Sequence, residues 1–197
     1  MCEIALQAMS RIEVHPYDPE WPRSFERVRA HVWPAVQHAA MRMEHVGSTS
    51  VPGLCAKPVL DICIVVASRR DIPHVVRALA NSGYTHRGDL GVPDREAFKA
   101  PATFPKHHLY ASSRGSLSLK NQLGLRDYLR ASPEAARDYG TLKETLAEQF
   151  PEDIDSYVAG KTEFILGILR HAGLTDEELA AIRSINQPET VARPTSA

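Results

Sequence analysis

His45-Val-Gly-Ser-Thr-Ser-Val-Pro-Gly-Leu-Cys-Ala-Lys-Pro-Val-Leu-Asp-Ile-Cys-Ile-Val-Val66 is the stretch that decides the fold of this chain. It has three physical parts. Met43 to Val46 reads as a short strand that enters a turn at Gly47-Ser48. Ser48 to Lys57 is a loop of small residues, with further hydroxyls at Thr49 and Ser50, a Pro52-Gly53 pair and one lysine. Pro58 to Val66 is an apolar, β-branched run of the kind that makes a strand buried on both faces. Asp61 interrupts that run between Leu60 and Ile62. A carboxylate there is costly unless it is paired, hydrogen-bonded or metal-bound. Two readings follow. Asp61 is either satisfied by backbone N–H groups of the loop, or it is a metal-binding or catalytic group facing a phosphate-sized pocket made by Gly47-Ser48.

Upstream, Asp18-Pro19-Glu20 opens a helix with a capping side chain and a proline at the first turn. Trp21, Phe25, Val28, Val32 and Val36 repeat at helical spacing as a core-facing stripe, and Pro34 should kink or end that helix. Arg11 to His15 alternates briefly and is expected as an edge strand. Downstream, Asp71-Ile-Pro73 opens a second helix that Ser82-Gly83 closes. Tyr84 to Arg87, Arg95 to Ala100 and His107 to Ser112 are short candidate strands, expected as antiparallel additions to the sheet. Alternation along the last of these sends His107 and His108 to opposite faces, so only one can enter a given pocket. From Leu117 the period turns helical. Ser132-Pro133-Glu134 and Thr175-Asp-Glu-Glu178 mark two further helix starts. The expected organisation is a flexible extension over residues 1–10 and a single domain over 11–185. That domain comprises an α/β core to about residue 115 and a helical part over about 116–185 packed on it. A polar, disordered tail is expected from Asn186 through residue 197.

The chain has 197 residues, 43% of them hydrophobic, enough for one domain with a full core. A formal charge of −1 argues against broad electrostatic capture of nucleic acid. No apolar run approaches the roughly 20 residues of a membrane span, and the first residues lack the features of a signal peptide. Three cysteines without a Cys-x-x-Cys fit a reduced, cytoplasmic protein.

Several residues are candidates for chemistry on position alone. Lys161 falls on the buried stripe of its helix, between Val158 and Ile165, where a lysine must snorkel or meet an anion. Arg126 and Asp127 can salt-bridge to helical neighbours. Lys143 is expected to face solvent. Arg95 and Lys99 share one face of a candidate strand and could add charge to the same cleft. Cys55 and Cys63 fit small core residues better than nucleophiles. No ligand spacing points to zinc.

Val46-Gly47-Ser48, followed after twelve residues by Asp61-Ile62, resembles the motif of the nucleotidyltransferase superfamily that includes DNA polymerase β. More closely, His45-Val-Gly-Ser-Thr-Ser-Val-Pro-Gly-Leu54 and Ala56-Lys-Pro58 are similar to the GrpB family, found alone or fused to dephospho-CoA kinases. Leu125-Arg-Asp-Tyr-Leu-Arg130, Leu142-Lys143, His107-His108-Leu109 and Tyr157-Val-Ala-Gly-Lys161 resemble further segments of that family, in order from about Ile12 to Ala172. The resemblance implies an α+β fold: a nucleotidyltransferase-like mixed β-sheet flanked by helices, with the C-terminal helical region against it. It implies a nucleotide-using transferase that acts on a small-molecule substrate, with a nucleoside triphosphate and Mg²⁺. In that reading Asp61 holds the metal, and Asp61 and Lys161 carry catalysis. Gly47, Ser48, Thr49, Lys57 and Arg126 bind the phosphates, with His45, His107, His108, Arg95 and Lys143 as further candidates. Cys63 stands where the superfamily has its second carboxylate. A two-metal site would then need another acid, such as Asp94 or Glu96. That departure keeps an alternative open: a non-catalytic nucleotide- or anion-binding module that regulates a partner. A histidine-based hydrolase using His45 and His107 is a weaker third reading, and the oligomeric state is left open.

Overall fold

Asp18 Oδ1 accepts the Glu20 amide at 2.8 Å, and α1 (Glu20–Val36) begins there. Its Trp21, Val28, Val32 and Val36 are buried as the spacing predicts, and Pro34 lies in its last turn. The computed structural model describes residues 11–186. The extension expected over residues 1–10 and the tail after Asn186 lie outside the described residues.

The sheet grows from the quoted stretch. β1 (Arg42–Val46) pairs antiparallel with β2 (Leu60–Val66), setting Val46 opposite Asp61 and Glu44 opposite Cys63. α2 (Ile72–Asn81) follows, with Gly83 in the left-handed region at its close (φ +85°). Next come β3 (Thr85–His86), β4 (Arg95–Lys99) and β5 (His107–Ser113), and the order across the sheet is β1-β2-β5-β4-β3. β3–β4 and β4–β5 are antiparallel as expected, but β5 runs parallel to β2. The physical reason is the connection: α2 and the β3–β4 hairpin form a crossover long enough to return the chain in the same direction. β2 lies between β1 and the central strand β5, and its Ile62, Ile64, Val65 and Val66 are fully buried. The expected edge strand at Arg11 to His15 contracts to one bridge, His15 with Ala56.

Leu60, Ile62, Ile64 and Val66, with Leu109 and Ala111, face α1 and α2 in the main core. The opposite sheet face is covered by α3 (Leu117–Ala131), whose Leu119 packs on Val46, Cys63 and Val65. α4 (Pro133–Gln149), α5 (Ile154–His171) and α6 (Asp176–Asn186) complete the helical part. Ser116, Ser132 and Asp153 cap α3, α4 and α5, and Thr175 and Glu178 cap α6 reciprocally. Asn186 is helical, so any tail starts after it. Among the described residues, no helix is long and apolar enough to cross a membrane.

Candidate active site: a cationic cleft around Asp61

Gly47 ends β1 in the left-handed region (φ +67°), and one turn of 3-10 helix follows at Ser48–Ser50. The glycine is dictated twice. A side chain there is strained by the backbone, and its Cβ would stand 3.0 Å from Asp61 Cβ and Cγ. Gly47→Ala should therefore cost about 1–3 kcal/mol of stability from the backbone conformation alone and push the Asp61 carboxylate out of place. A thermal melt within a degree of wild type, with ligand binding intact, would refute that close approach.

The turn is held from behind. Ser50 Oγ donates to the Gly47 carbonyl at 2.6 Å. Arg130 donates to the Ser50 carbonyl through Nε (3.0 Å) and Nη2 (2.8 Å). Arg126 reaches the His45 carbonyl at 3.1 Å and pairs with Glu44 and Asp127, each at 2.7 Å. Arg126 is thus committed to the back of the turn, and it is absent from the lining of the cleft. His45 is buried, stacks on Phe25 with ring centroids 5.0 Å apart, and is hydrogen-bonded to Thr49 at 3.0 Å. Burial, reinforced by Arg130 and Arg126 against an opposing effect of Asp61, pushes its pKa down to about 4. It is a neutral strut for the turn.

In front of the turn lies a cleft of about 490 Å³ between the end of the sheet and helices α4 and α5. Ser48, Thr49, Lys57, Asp61, His108, Lys143 and Lys161 converge on it. Asp61 is about one-third exposed, and its Oδ1 accepts from His108 Nδ1 at 3.1 Å. Its hydrogen-bond partner is this histidine, not the backbone N–H groups of the loop. Lys161 lies over the Tyr157 ring, 4.1 Å from the centroid. Burial, then repulsion from Lys143 and Lys57, lowers its pKa to about 8 despite Asp61.

Lys143 corrects the sequence reading. It is 2% exposed, donates to the Cys55 carbonyl and sits 4.9 Å from the Tyr139 ring centroid. Burial lowers its pKa to about 8, against the opposing pull of Cys55 and Glu144. The signal was present, since Tyr139, Lys143 and Leu146 repeat at i, i+4 and i+7 on one helical face. Arg130, four residues after Arg126, was likewise legible as a partner on the same face but was not singled out.

Other candidates lie elsewhere. His107 points away from Asp61. It is buried, donates from Nδ1 to the Pro105 carbonyl at 2.7 Å and accepts from Tyr84 at 2.9 Å. Arg95 lies over the Tyr110 ring (4.5 Å), outside the cleft. Asp94 pairs with Arg69 and Glu96 with His86, so neither supplies a second acid. Cys63 is fully buried, and burial pushes its thiol up to about 12. Among the described residues, no group of three or more His, Cys, Asp or Glu side chains is arranged to hold a metal. The donor set therefore does not fit a two-metal centre. Asp61 is the one carboxylate lining the cleft, and Mg²⁺ sites in general take one or two protein carboxylates together with phosphate oxygens.

The family model described as "GrpB protein" matches residues 11–171. The UPF0157 protein YqkA of Bacillus subtilis is 32% identical over 155 residues, covering 79% of this chain. This chain spans only 45% of the length of that relative. The crystal structure of GrpB from Enterococcus faecalis superposes with a TM-score of 0.72 at 31% identity, covering 81% of this chain and 96% of that one. A chain in the structure of the GLD-2/RNP-8 complex matches with a TM-score of 0.51 at 14% identity, covering 93% of this chain and 74% of that one. That last likeness is one of fold alone. The fold is the nucleotidyltransferase-like α+β arrangement, and with the family model and the Enterococcus structure in agreement, the chain belongs to the GrpB family.

Proposed function

We propose that the chain is a nucleotide-using transferase that acts on a small molecule and binds its nucleoside triphosphate in the Asp61 cleft. The observation that carries this reading is that Lys57, Lys143 and Lys161 line one cleft with a single carboxylate, Asp61, in front of the Gly47-Ser48 turn. Without a ligand, three lysines share the cleft with one acid, and Lys143 and Lys57 repel the Lys161 ammonium. A polyphosphate supplies the missing negative charge. Backbone N–H groups and the Ser48 hydroxyl meet phosphate oxygens, as small-residue turns do. A Mg²⁺ carried by the triphosphate would be held by Asp61 and would help spread the charge of the transferred group.

In the transfer, an acceptor oxygen or nitrogen attacks the α-phosphorus while the bond to the β-phosphate oxygen breaks. Pyrophosphate leaves, and the acceptor's proton passes to His108 or to water. The lysines stabilise charge that grows on the departing pyrophosphate, which is where fixed cations contribute most. Here Lys143 and Lys161 take the place of a second metal. A binding module without transfer chemistry is the second reading, favoured by the burial of Cys63 where a second carboxylate would sit.

Calorimetric titration of nucleoside triphosphates with and without Mg²⁺, followed by pyrophosphate release across acceptors, separates the two. In the transferase reading, Asp61→Asn removes the Mg²⁺-dependent part of binding and all turnover, with a melting temperature near wild type. The asparagine oxygen can still accept from His108, and the pair it replaces is partly solvent-exposed. Unchanged Mg²⁺-dependent binding together with a large drop in melting temperature would make Asp61 a structural carboxylate.

A further inference from the structure

Beyond His108 the same sheet face carries a second concavity. Register sets His108 beside Asp61 and Ala97 beside Tyr110. Alternation therefore places Lys99, Ala97, Tyr110 and His108 on the face that also presents Asp61. The pocket there has a volume of about 630 Å³, and its lining comes from β4, β5 and loops around them, with no residue from α3 to α6. Val59 and His108 line both this pocket and the Asp61 cleft, so the two spaces share a wall.

The chemistry of the second pocket differs from that of the first. Leu90, Phe104 and Tyr110 give it an apolar body. Leu90 is 60% exposed and held in the left-handed region (φ +50°), a costly conformation for a branched side chain left facing solvent. Arg87, Lys99 and Lys106 are exposed at its edge, and no Asp or Glu lines it. None of these three cations belongs to an ion pair among the described residues. An apolar body with one polar anchor set at its edge is the usual form of a small-molecule site.

We propose that this pocket is the acceptor subsite: it takes a small molecule with an apolar, ring-sized body and an anionic tail, and presents that molecule's nucleophile across His108 to the nucleotide. This rests on the transferase reading. The anionic tail answers the unpaired Arg87, Lys99 and Lys106. The apolar body covers Leu90 and Tyr110. The shared wall puts the far end of a bound molecule next to Asp61. Substrate choice is thereby separated from phosphate binding, with each held by its own set of cations.

The test uses three para-hydroxyphenyl probes with short tails of different charge: 4-hydroxyphenylacetate (anionic), 4-ethylphenol (neutral) and tyramine (cationic). Binding to the full chain is followed by ligand-observed NMR and calorimetry. The anion should bind at least tenfold more tightly than tyramine. The double variant Lys99→Glu/Lys106→Glu should cancel or reverse that preference, and because both side chains are exposed the fold should survive. Lys161→Met should leave binding of the anionic probe unchanged while weakening nucleoside triphosphate binding. Nucleoside triphosphate titrations on the same samples keep the two readings apart. Absent nucleotide binding, with the anionic preference intact and dependent on Lys99 and Lys106, removes the transferase and leaves an anion pocket. Normal nucleotide binding with all three probes bound alike, or with 4-hydroxyphenylacetate affinity unchanged in Lys99→Glu/Lys106→Glu, overturns the subsite.

Discussion

Replacing both Lys143 and Lys161 by methionine is expected to weaken nucleoside triphosphate binding at least a hundredfold. Each charge-assisted contact to phosphate is worth about 1.5–3 kcal/mol, and a hundredfold loss corresponds to roughly 2.7 kcal/mol. Methionine keeps most of the length and apolar stem of lysine, so packing against Tyr139 and Tyr157 survives. The variant also has a pH signature. Both lysines titrate near pH 8 in the folded chain, below their ordinary 10.5, because burial disfavours the charged form. The unfolded chain therefore binds more protons than the folded one between about pH 8 and 10.5. These two lysines add stability across that window, against an opposing loss from Cys63 and the buried tyrosines, whose pKa values burial raises. For nearly fully buried Lys143 the full span is on the order of 3 kcal/mol. It is smaller for Lys161, which is nearer solvent. The wild type should therefore gain stability relative to the double variant as pH rises across that window. At pH 7 the relief of buried charge is offset in part by the Cys55 carbonyl left without its donor. Binding runs the other way. A phosphate ligand restores the charged form, so wild-type binding should take up protons near pH 8 and weaken as pH rises further. Unchanged nucleotide affinity in the double variant would remove the lysines from the site and the transferase reading with them.

The quoted stretch made the sheet legible because its signals are local. A glycine turn, a β-branched run and a lone aspartate are read from adjacent residues, and β1, β2 and the Asp61 cleft follow. What stayed hidden depends on contacts distant in sequence. The parallel pairing of β5 with β2 is set by a crossover whose path no residue of β5 encodes. For Lys143 the Tyr139–Leu146 stripe marks the inner face of α4, but its acceptor, the Cys55 carbonyl, is far away in sequence. Arg126 matched a phosphate clamp by residue type, yet Glu44 on β1 claims it. A sequence shows that a guanidinium wants an anion and cannot show which anion arrives first. Side-chain alternation, by contrast, needs only the strand. It separated His107 from His108 correctly, and the structure sends one to Tyr84 and the other to Asp61.

The same alternation puts Cys63 on the face of Asp61, and Cys63→Asp should cost about 3–5 kcal/mol of stability, the usual loss for an uncompensated buried charge. Cys63 is fully buried among Val46, Val65 and Leu119, and Glu44 stands directly opposite on β1. A new carboxylate there meets apolar side chains and a like charge whose own partners, Arg126 and Arg42, are already taken. For a domain of this size the melting temperature should fall by roughly 10 °C, at about 2–4 °C per kcal/mol. Cys63→Ala serves as the control, since it changes volume without adding charge and should keep nucleotide binding. Activity decides the rest. If the lysines stand in for a second metal, Cys63→Asp brings no gain in transfer, and Mg²⁺ does not recover the lost stability. If the site is instead a two-metal centre that lacks one acid, the added carboxylate acquires a metal, the melting temperature returns with Mg²⁺, and transfer rises at least tenfold. That second outcome would overturn the single-carboxylate mechanism, because it requires the buried face of β2 to open toward the cleft when a metal ligand is placed on it.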